Sequence, residues 1–100
     1  MINHVVIFWL KPDKIDEGRR ALLASAERDL KGIDGVRTLG WGGPIPTGRK
    51  VVDTSYHVAL TMQFDSESQL QKYQAHPVHQ NFLKECVTPF VEKIVVYDFA

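Results

Sequence analysis

The sequence predicts an α+β domain whose strands and helices follow in the order βαββαβ. A chain of 100 residues has the usual size of one domain and is too short for two, so a single domain over residues 1–100 is expected. Apolar runs with strand-like spacing mark four segments, and two stretches with helical signals separate them. A content of 44% hydrophobic and 24% charged residues is typical of a globular domain.

The first strand and the first helix have the clearest signals in the amino-terminal third. Residues 2–10 are rich in β-branched and aromatic side chains, and both alternating sets are largely apolar. Pro12 and Asp13 end this strand and open a helix that is expected to end at Lys31-Gly32. The predicted buried stripe of this helix consists of Ile15, Leu22, Leu23, Ala26 and Leu30.

The middle of the chain predicts two strands joined by a long loop. Residues 36–42 form a strand weakened by Gly40 and Gly42, and residues 43–55 form a surface loop that is a candidate lid. Residues 56–64 alternate cleanly between apolar and other side chains, which predicts a strand with one buried face.

The last third predicts a helix broken at a proline and then a final strand. Ser66 followed by Gln69 is a capping box that starts the helix. Pro77 breaks it and leaves His76 at the joint, where its side chain is expected to cap a new helix running to about Val87. Residues 91–99 form the fourth strand, again apolar on both faces.

These elements predict a ferredoxin-like βαββαβ fold, a four-stranded antiparallel sheet with its helices on one face. The helices leave the other face uncovered, although the first and last strands are apolar there. Soluble monomers rarely expose such a patch, so a homodimer through this sheet face is expected. The side chains on that face are Val5, Ile7, Trp9, Val95 and Tyr97.

Composition excludes several classes of protein. Twelve basic residues balance twelve acidic ones, so no net charge attracts nucleic acid or an anionic membrane. Without a spanning apolar run or signal-peptide features, a cytoplasmic location and no membrane partner are expected. Cys86 is the single cysteine, which rules out an intrachain disulfide. His76 and His79 have no nearby carboxylate or thiolate in sequence, so we expect neither a metal nor a cofactor.

Tyr73 and His79 are the candidate chemical groups. His79 shares a helical face with Phe82 and Cys86, which points its ring into the interior. A neutral histidine beside a tyrosine suits proton transfer next to a carbonyl. The alternative is that both are structural, with the histidine satisfied by hydrogen bonds in the core. Both interpretations stay open.

Two further histidines lie on strands. His4 shares a strand face with Val6 and Phe8, which favours a place in a pocket, whereas His57 is expected at the solvent or at an interface.

The chain resembles the stress-responsive A/B barrel (Dabb) family over its whole length. The resemblance rests on the first strand HVVIFWL followed by lysine, the Gly-Trp-Gly of residues 40–42, the YxxHPxH segment of residues 73–79 and the ending VVYDF of residues 95–99. It implies a dimeric α/β barrel in which two four-stranded sheets face each other. It also implies a cavity in each chain between the sheet and its helices.

The resemblance leaves three functions to compare. Most members have no assigned activity. The first function implied is therefore a homodimeric small-molecule-binding module of unassigned activity, with a small apolar or polyketide-like ligand. Plant members are polyketide cyclases, and by position Tyr73 and His79 would be the proton-handling pair of such a cofactor-free cyclase or lyase. A cofactor-independent monooxygenase is the third possibility. The ligand-contacting residues implied are His4, Val6, Phe8, Leu22, Leu23, Ala26, Leu60, His76 and Phe82.

Overall fold

The computed structural model describes all 100 residues, and its elements follow the predicted order. A single 3₁₀ turn (Leu30–Gly32) follows the first helix, and the third helix continues into a π-helical turn (Leu83–Val87) and a last helical turn (Thr88–Phe90). The strands and helices are β1 (Ile2–Leu10), α1 (Ile15–Arg28), β2 (Thr38–Gly42), β3 (Val58–Phe64), α2 (Glu67–Ala75), α3 (Pro77–Phe82) and β4 (Val91–Phe99).

The four strands form one antiparallel sheet in the order β2-β3-β1-β4. β1 lies in the middle and pairs with β3 on one side and β4 on the other, so β4 is an edge strand. Residues directly opposite each other in an antiparallel pair point to the same face. The β1–β4 register therefore puts Ile94, Val96 and Asp98 on the face that carries Phe8, Val6 and His4. The predicted ferredoxin-like sheet is confirmed.

The core lies between this sheet and the helices. Phe8, Leu60 and Phe64 are at most 1% exposed, and α1 covers them with Leu22 and Ala26, which are both fully buried. Ile15 and Leu23 of the predicted stripe are only partly buried at the margin of the core. Burying a large aliphatic or aromatic side chain contributes about 1.5–3 kcal/mol, so this layer is the main source of stability.

The predicted helix caps form. Ser66 Oγ accepts a hydrogen bond from the backbone N–H of Gln69 at 3.3 Å, and this bond starts α2. His76 Nδ1 accepts one from the N–H of Val78 at 3.1 Å, while Pro77 occupies the first turn of α3. His76 thus lies at the joint between two helices, as predicted.

β2 and β3 are each shorter than predicted. Gly35, with φ of 97°, makes a turn in which the N–H of Val36 donates to Ile33, so β2 begins at Thr38. β3 begins at Val58. Just before it, the backbone N–H of His57 donates to the carbonyl of Phe8 at 2.9 Å, and its Nδ1 accepts from the N–H of Leu10 at 2.9 Å. His57 is partly exposed, and its ring also joins the two strands through this bond.

The sheet face opposite the helices is apolar along β1 and β4. Val5, Ile7 and Trp9 are partly buried by their neighbours, whereas Tyr97 and Phe99 are 61% and 58% exposed. No helix has both the length and the hydropathy that crossing a bilayer requires.

Candidate functional site

A cavity of about 140 Å³ lies between the sheet and the helices α2 and α3, close to the edge strand β4. Nine of its twelve lining residues are hydrophobic, so the polar groups in it are few. Ile94 and Val96 of β4 are 42% and 44% exposed, which leaves the cavity open along this strand. The lining residues are His4, Val6, Phe8, Leu60, Met62, Tyr73, Gln74, His79, Phe82, Leu83, Ile94 and Val96.

Tyr73 is held in the cavity wall by aromatic neighbours. It lies on α2, is 2% exposed, and packs its ring against Phe64 and His4 at centroid distances of 5.1 and 6.1 Å. Burial alone raises the pKa of its hydroxyl, because a phenolate would lose its solvation. Tyr73 therefore keeps its proton at neutral pH and can donate a hydrogen bond.

His79 lies beside Tyr73 on the first turns of α3. The two ring centroids are 4.6 Å apart and the planes are tilted by 57°. Nδ1 of His79 lies 3.1 Å from the carbonyl oxygen of Gln74, and a carbonyl only accepts, so Nδ1 carries the proton. Burial lowers the pKa of His79, the bond to Gln74 opposes this, and nearby His4 lowers it further. The ring is thus neutral at neutral pH, with Nε2 unprotonated.

His4 is the third polar group of the cavity. It lies on β1, is 4% exposed, and its Nδ1 is hydrogen-bonded to the carboxylate of Asp98, its direct neighbour on β4. Asp98 was not among the site residues predicted from the sequence. An acidic residue among the apolar residues at the end of β4 was the available signal, but only the register of β1 with β4 shows which residue it meets.

Two polar atoms on nearly fully buried side chains of the cavity have no partner within the chain. Every side-chain nitrogen or oxygen that is sealed from solvent has a hydrogen bond. The hydroxyl of Tyr73 and Nε2 of His4 make none, so they must border open space although their side chains are almost fully buried. Buried polar groups are normally satisfied, and atoms of this kind are open to bind a ligand or water.

The structure brings together seven of the residues that the sequence implicated. Tyr73, His79, His4, Val6, Phe8, Leu60 and Phe82 all line the cavity. Four others, Leu22, Leu23, Ala26 and His76, lie outside it.

The four residues outside the cavity have other positions in the fold. Leu22 and Ala26 are sealed in the core under α1, because the cavity lies beneath α2 and α3 instead. Leu23 packs at the margin of the core. His76 faces a surface depression near Arg28 and Asp34. The lining residues that the sequence did not suggest are Met62, Gln74, Leu83, Ile94 and Val96.

The polar residues of the cavity do not form a metal centre. No three or more histidine, cysteine, aspartate or glutamate side chains lie close enough together to hold an ion. The arrangement can instead donate one hydrogen bond from Tyr73 and accept at the histidine nitrogens.

The fold and the cavity define a ferredoxin-like α+β domain with a small, mainly apolar pocket. The chain belongs to the Stress responsive A/B Barrel Domain family, whose profile it matches over residues 2–100. No protein with a curated description matches its sequence.

Three solved structures illustrate the similarity. A Dabb family protein with a ferredoxin-like fold from Mesorhizobium loti is 28% identical, with a TM-score of 0.81, over 99% of this chain and 94% of that one. A dimeric ferredoxin-like protein of unknown function from Thermobifida fusca is 19% identical (TM-score 0.81; 99% and 89% covered). The hydroxynitrile lyase from Passiflora edulis is 19% identical (TM-score 0.82; 98% and 90% covered). The fold therefore occurs both in an enzyme and in proteins of unknown function.

Proposed function

We propose that the protein is a homodimeric small-molecule-binding protein whose cavity takes a small, mainly apolar ligand with one carbonyl or hydroxyl group. The observation that carries this proposal is the pair of unpartnered polar atoms, Tyr73 Oη and His4 Nε2, on nearly fully buried side chains beside an open apolar cavity. Ligand sites are typically apolar pockets with a few convergent polar groups of this kind.

The size of the cavity limits the ligand. Its volume of about 140 Å³ is close to the roughly 150 Å³ of an engineered apolar cavity that holds benzene. Drug-sized ligands occupy pockets of about 300–1,000 Å³. A five- or six-membered ring therefore fits, whereas a long polyketide would have to extend out past β4.

Binding can be measured with cyclopentanone, whose carbonyl would accept the hydrogen bond of Tyr73, and with cyclopentane as the matched apolar ring. Tyr73→Phe should weaken cyclopentanone binding by about 3- to 10-fold, the worth of one net hydrogen bond, and leave cyclopentane binding unchanged. His76→Asn, outside the cavity, is the control. Equal affinities of wild type and Tyr73→Phe for cyclopentanone would reject the assigned role of the hydroxyl.

The homodimer is proposed on the uncovered sheet face. Val5, Ile7 and Trp9 on β1, with Tyr97 and Phe99 on β4, make an apolar surface that no helix covers. The Thermobifida fusca neighbour is described as dimeric, which supports the same assembly here. A two-fold pair of sheets would bury this surface in both copies.

Light scattering with size-exclusion chromatography tests the dimer. The wild type should elute as a dimer, and Ile7→Lys should be a monomer, because a lysine in the centre of the apolar face would be buried without a partner. Gln71→Lys on the exposed side of α2 is the matched control and should stay dimeric. A monomeric wild type at micromolar concentration would contradict the proposal without any variant.

A second candidate function is proton transfer at a carbon next to a carbonyl, and the pairing of Tyr73 with His79 favours it. The neutral His79 has Nε2 free to take the proton, while the Tyr73 hydroxyl would donate to the carbonyl oxygen as it becomes an enolate. The structural neighbour named as a hydroxynitrile lyase shows that an enzyme can be built on this fold, although its likeness does not define the reaction here.

Deuterium exchange at the α-carbons of cyclopentanone in heavy water, followed by proton NMR, tests this candidate. The wild type should accelerate exchange over buffer, and His79→Gln should reduce the acceleration about 100-fold or more, the usual contribution of a general base. His76→Asn is again the control. If wild type and buffer exchange at the same rate, the binding function stands and the proton-transfer function fails for this class of ketone.

A further inference from the structure

His4, whose Nε2 borders the cavity, forms a hydrogen-bonded pair with Asp98, which neither proposed function uses. Their positions are 94 residues apart in sequence, and the pair exists because β1 and β4 are aligned with His4 opposite Asp98. The side chain of His4 is 5% exposed and that of Asp98 is 40% exposed. The carboxylate is therefore at the edge of the sheet, while the imidazole reaches into the cavity.

The chemistry of the pair fixes the direction of the hydrogen bond. An ionised carboxylate has no proton to give, so Nδ1 of His4 is the donor. In a neutral imidazole the other nitrogen then has a free lone pair. That nitrogen, Nε2, has no partner within the chain and borders open space, as shown above.

We propose that Asp98 is a positioning residue that holds His4 in its Nδ1–H tautomer, and that Nε2 of His4 accepts a hydrogen bond from a ligand hydroxyl. The inference rests on the proposed ligand-binding function because it uses the same cavity. The ring of His4 lies against that of Tyr73, whose protonated hydroxyl can donate a hydrogen bond. A hydroxyl both accepts and donates, so an alcohol or phenol satisfies both residues, whereas a ketone satisfies only Tyr73.

The ¹⁵N NMR signals of the histidine rings test the first part without any ligand. At pH 8 the wild type should show the His4 ring with Nδ1 protonated and Nε2 unprotonated. In Asp98→Asn the tautomer with the proton on Nε2 should appear. Glu92→Gln, which changes another exposed carboxylate of β4, should keep the wild-type pattern. A wild-type His4 with its proton on Nε2 at pH 8 would overturn the proposal, whether or not the variants fold.

Binding of phenol and of benzene tests the second part. Asp98→Asn should weaken phenol binding by about 3- to 10-fold, because the free nitrogen is no longer held as an acceptor, and leave benzene binding unchanged. Glu92→Gln should bind both as the wild type does. Equal phenol affinity in Asp98→Asn and wild type would refute the role of the pair in binding. If neither probe binds the wild type, the ligand-binding function fails, while the NMR result still decides the tautomer.

Discussion

Replacing Tyr73 by phenylalanine separates the structural role of its ring from the functional role of its hydroxyl. The ring packs against Phe64, His4 and His79 at centroid distances of 5.1, 6.1 and 4.6 Å, and phenylalanine keeps these contacts. The hydroxyl has no partner within the chain, so its removal breaks no intramolecular hydrogen bond. We therefore expect the free energy of unfolding of Tyr73→Phe to stay within about 0.5 kcal/mol of the wild type or to rise slightly.

Tyr73→Ala provides the contrast, because it removes the ring as well. Truncating a buried aromatic side chain to alanine costs about 3–5 kcal/mol. Urea unfolding at one fixed protein concentration measures both variants and keeps any dimer contribution constant. A loss of more than about 1 kcal/mol in Tyr73→Phe would show that the hydroxyl has an intramolecular partner, and the reasoning about an unpartnered cavity group would then be wrong.

Three further predictions concern stability. His76→Ala should lose about 1 kcal/mol and lower the melting temperature by about 4–8 °C, whereas His76→Asn, which can still cap, should not. Burial lowers the pKa of His79 in the folded state, so the contribution of the neutral ring to stability is full above about pH 6.5 and is lost as pH falls through the lowered pKa. In urea titrations from pH 8 to 5, the free energy of unfolding should therefore decline less in His79→Gln than in the wild type. Gly18→Ala should destabilise the fold by about 1 kcal/mol, because the new Cβ would lie 2.9 Å from that of Phe90 and this overpacking outweighs the higher helix propensity of alanine. Unchanged unfolding midpoints of His76→Ala and Gly18→Ala would contradict the first and third predictions. An equal decline of stability with falling pH in wild type and His79→Gln would contradict the second.

Much of the fold could be predicted because its signals are local. Two-residue alternation gave the bounds of β1 and β4 as the structure has them, and the caps at Ser66 and His76 depend on residues two or three positions away. Tyr73 and His79 could be paired for a similar reason, since they lie six positions apart on either side of a helix joint. The ends of strands depend on distant partners and were less predictable. The sequence predicted that β3 starts at residue 56, whereas it starts at Val58.

The sequence by itself determined the element order, the two helix caps and the apolar character of both faces of β1, because each follows from side chains that are close along the chain. The tertiary structure alone decided that the cavity lies beneath α2 and α3 instead of α1, that His57 bonds to the backbone of Leu10, and that His4 meets Asp98. These contacts depend on how strands far apart in sequence are aligned. A shift of one residue in that register would turn Asp98 to the other face of the sheet, and no local pattern specifies such an alignment.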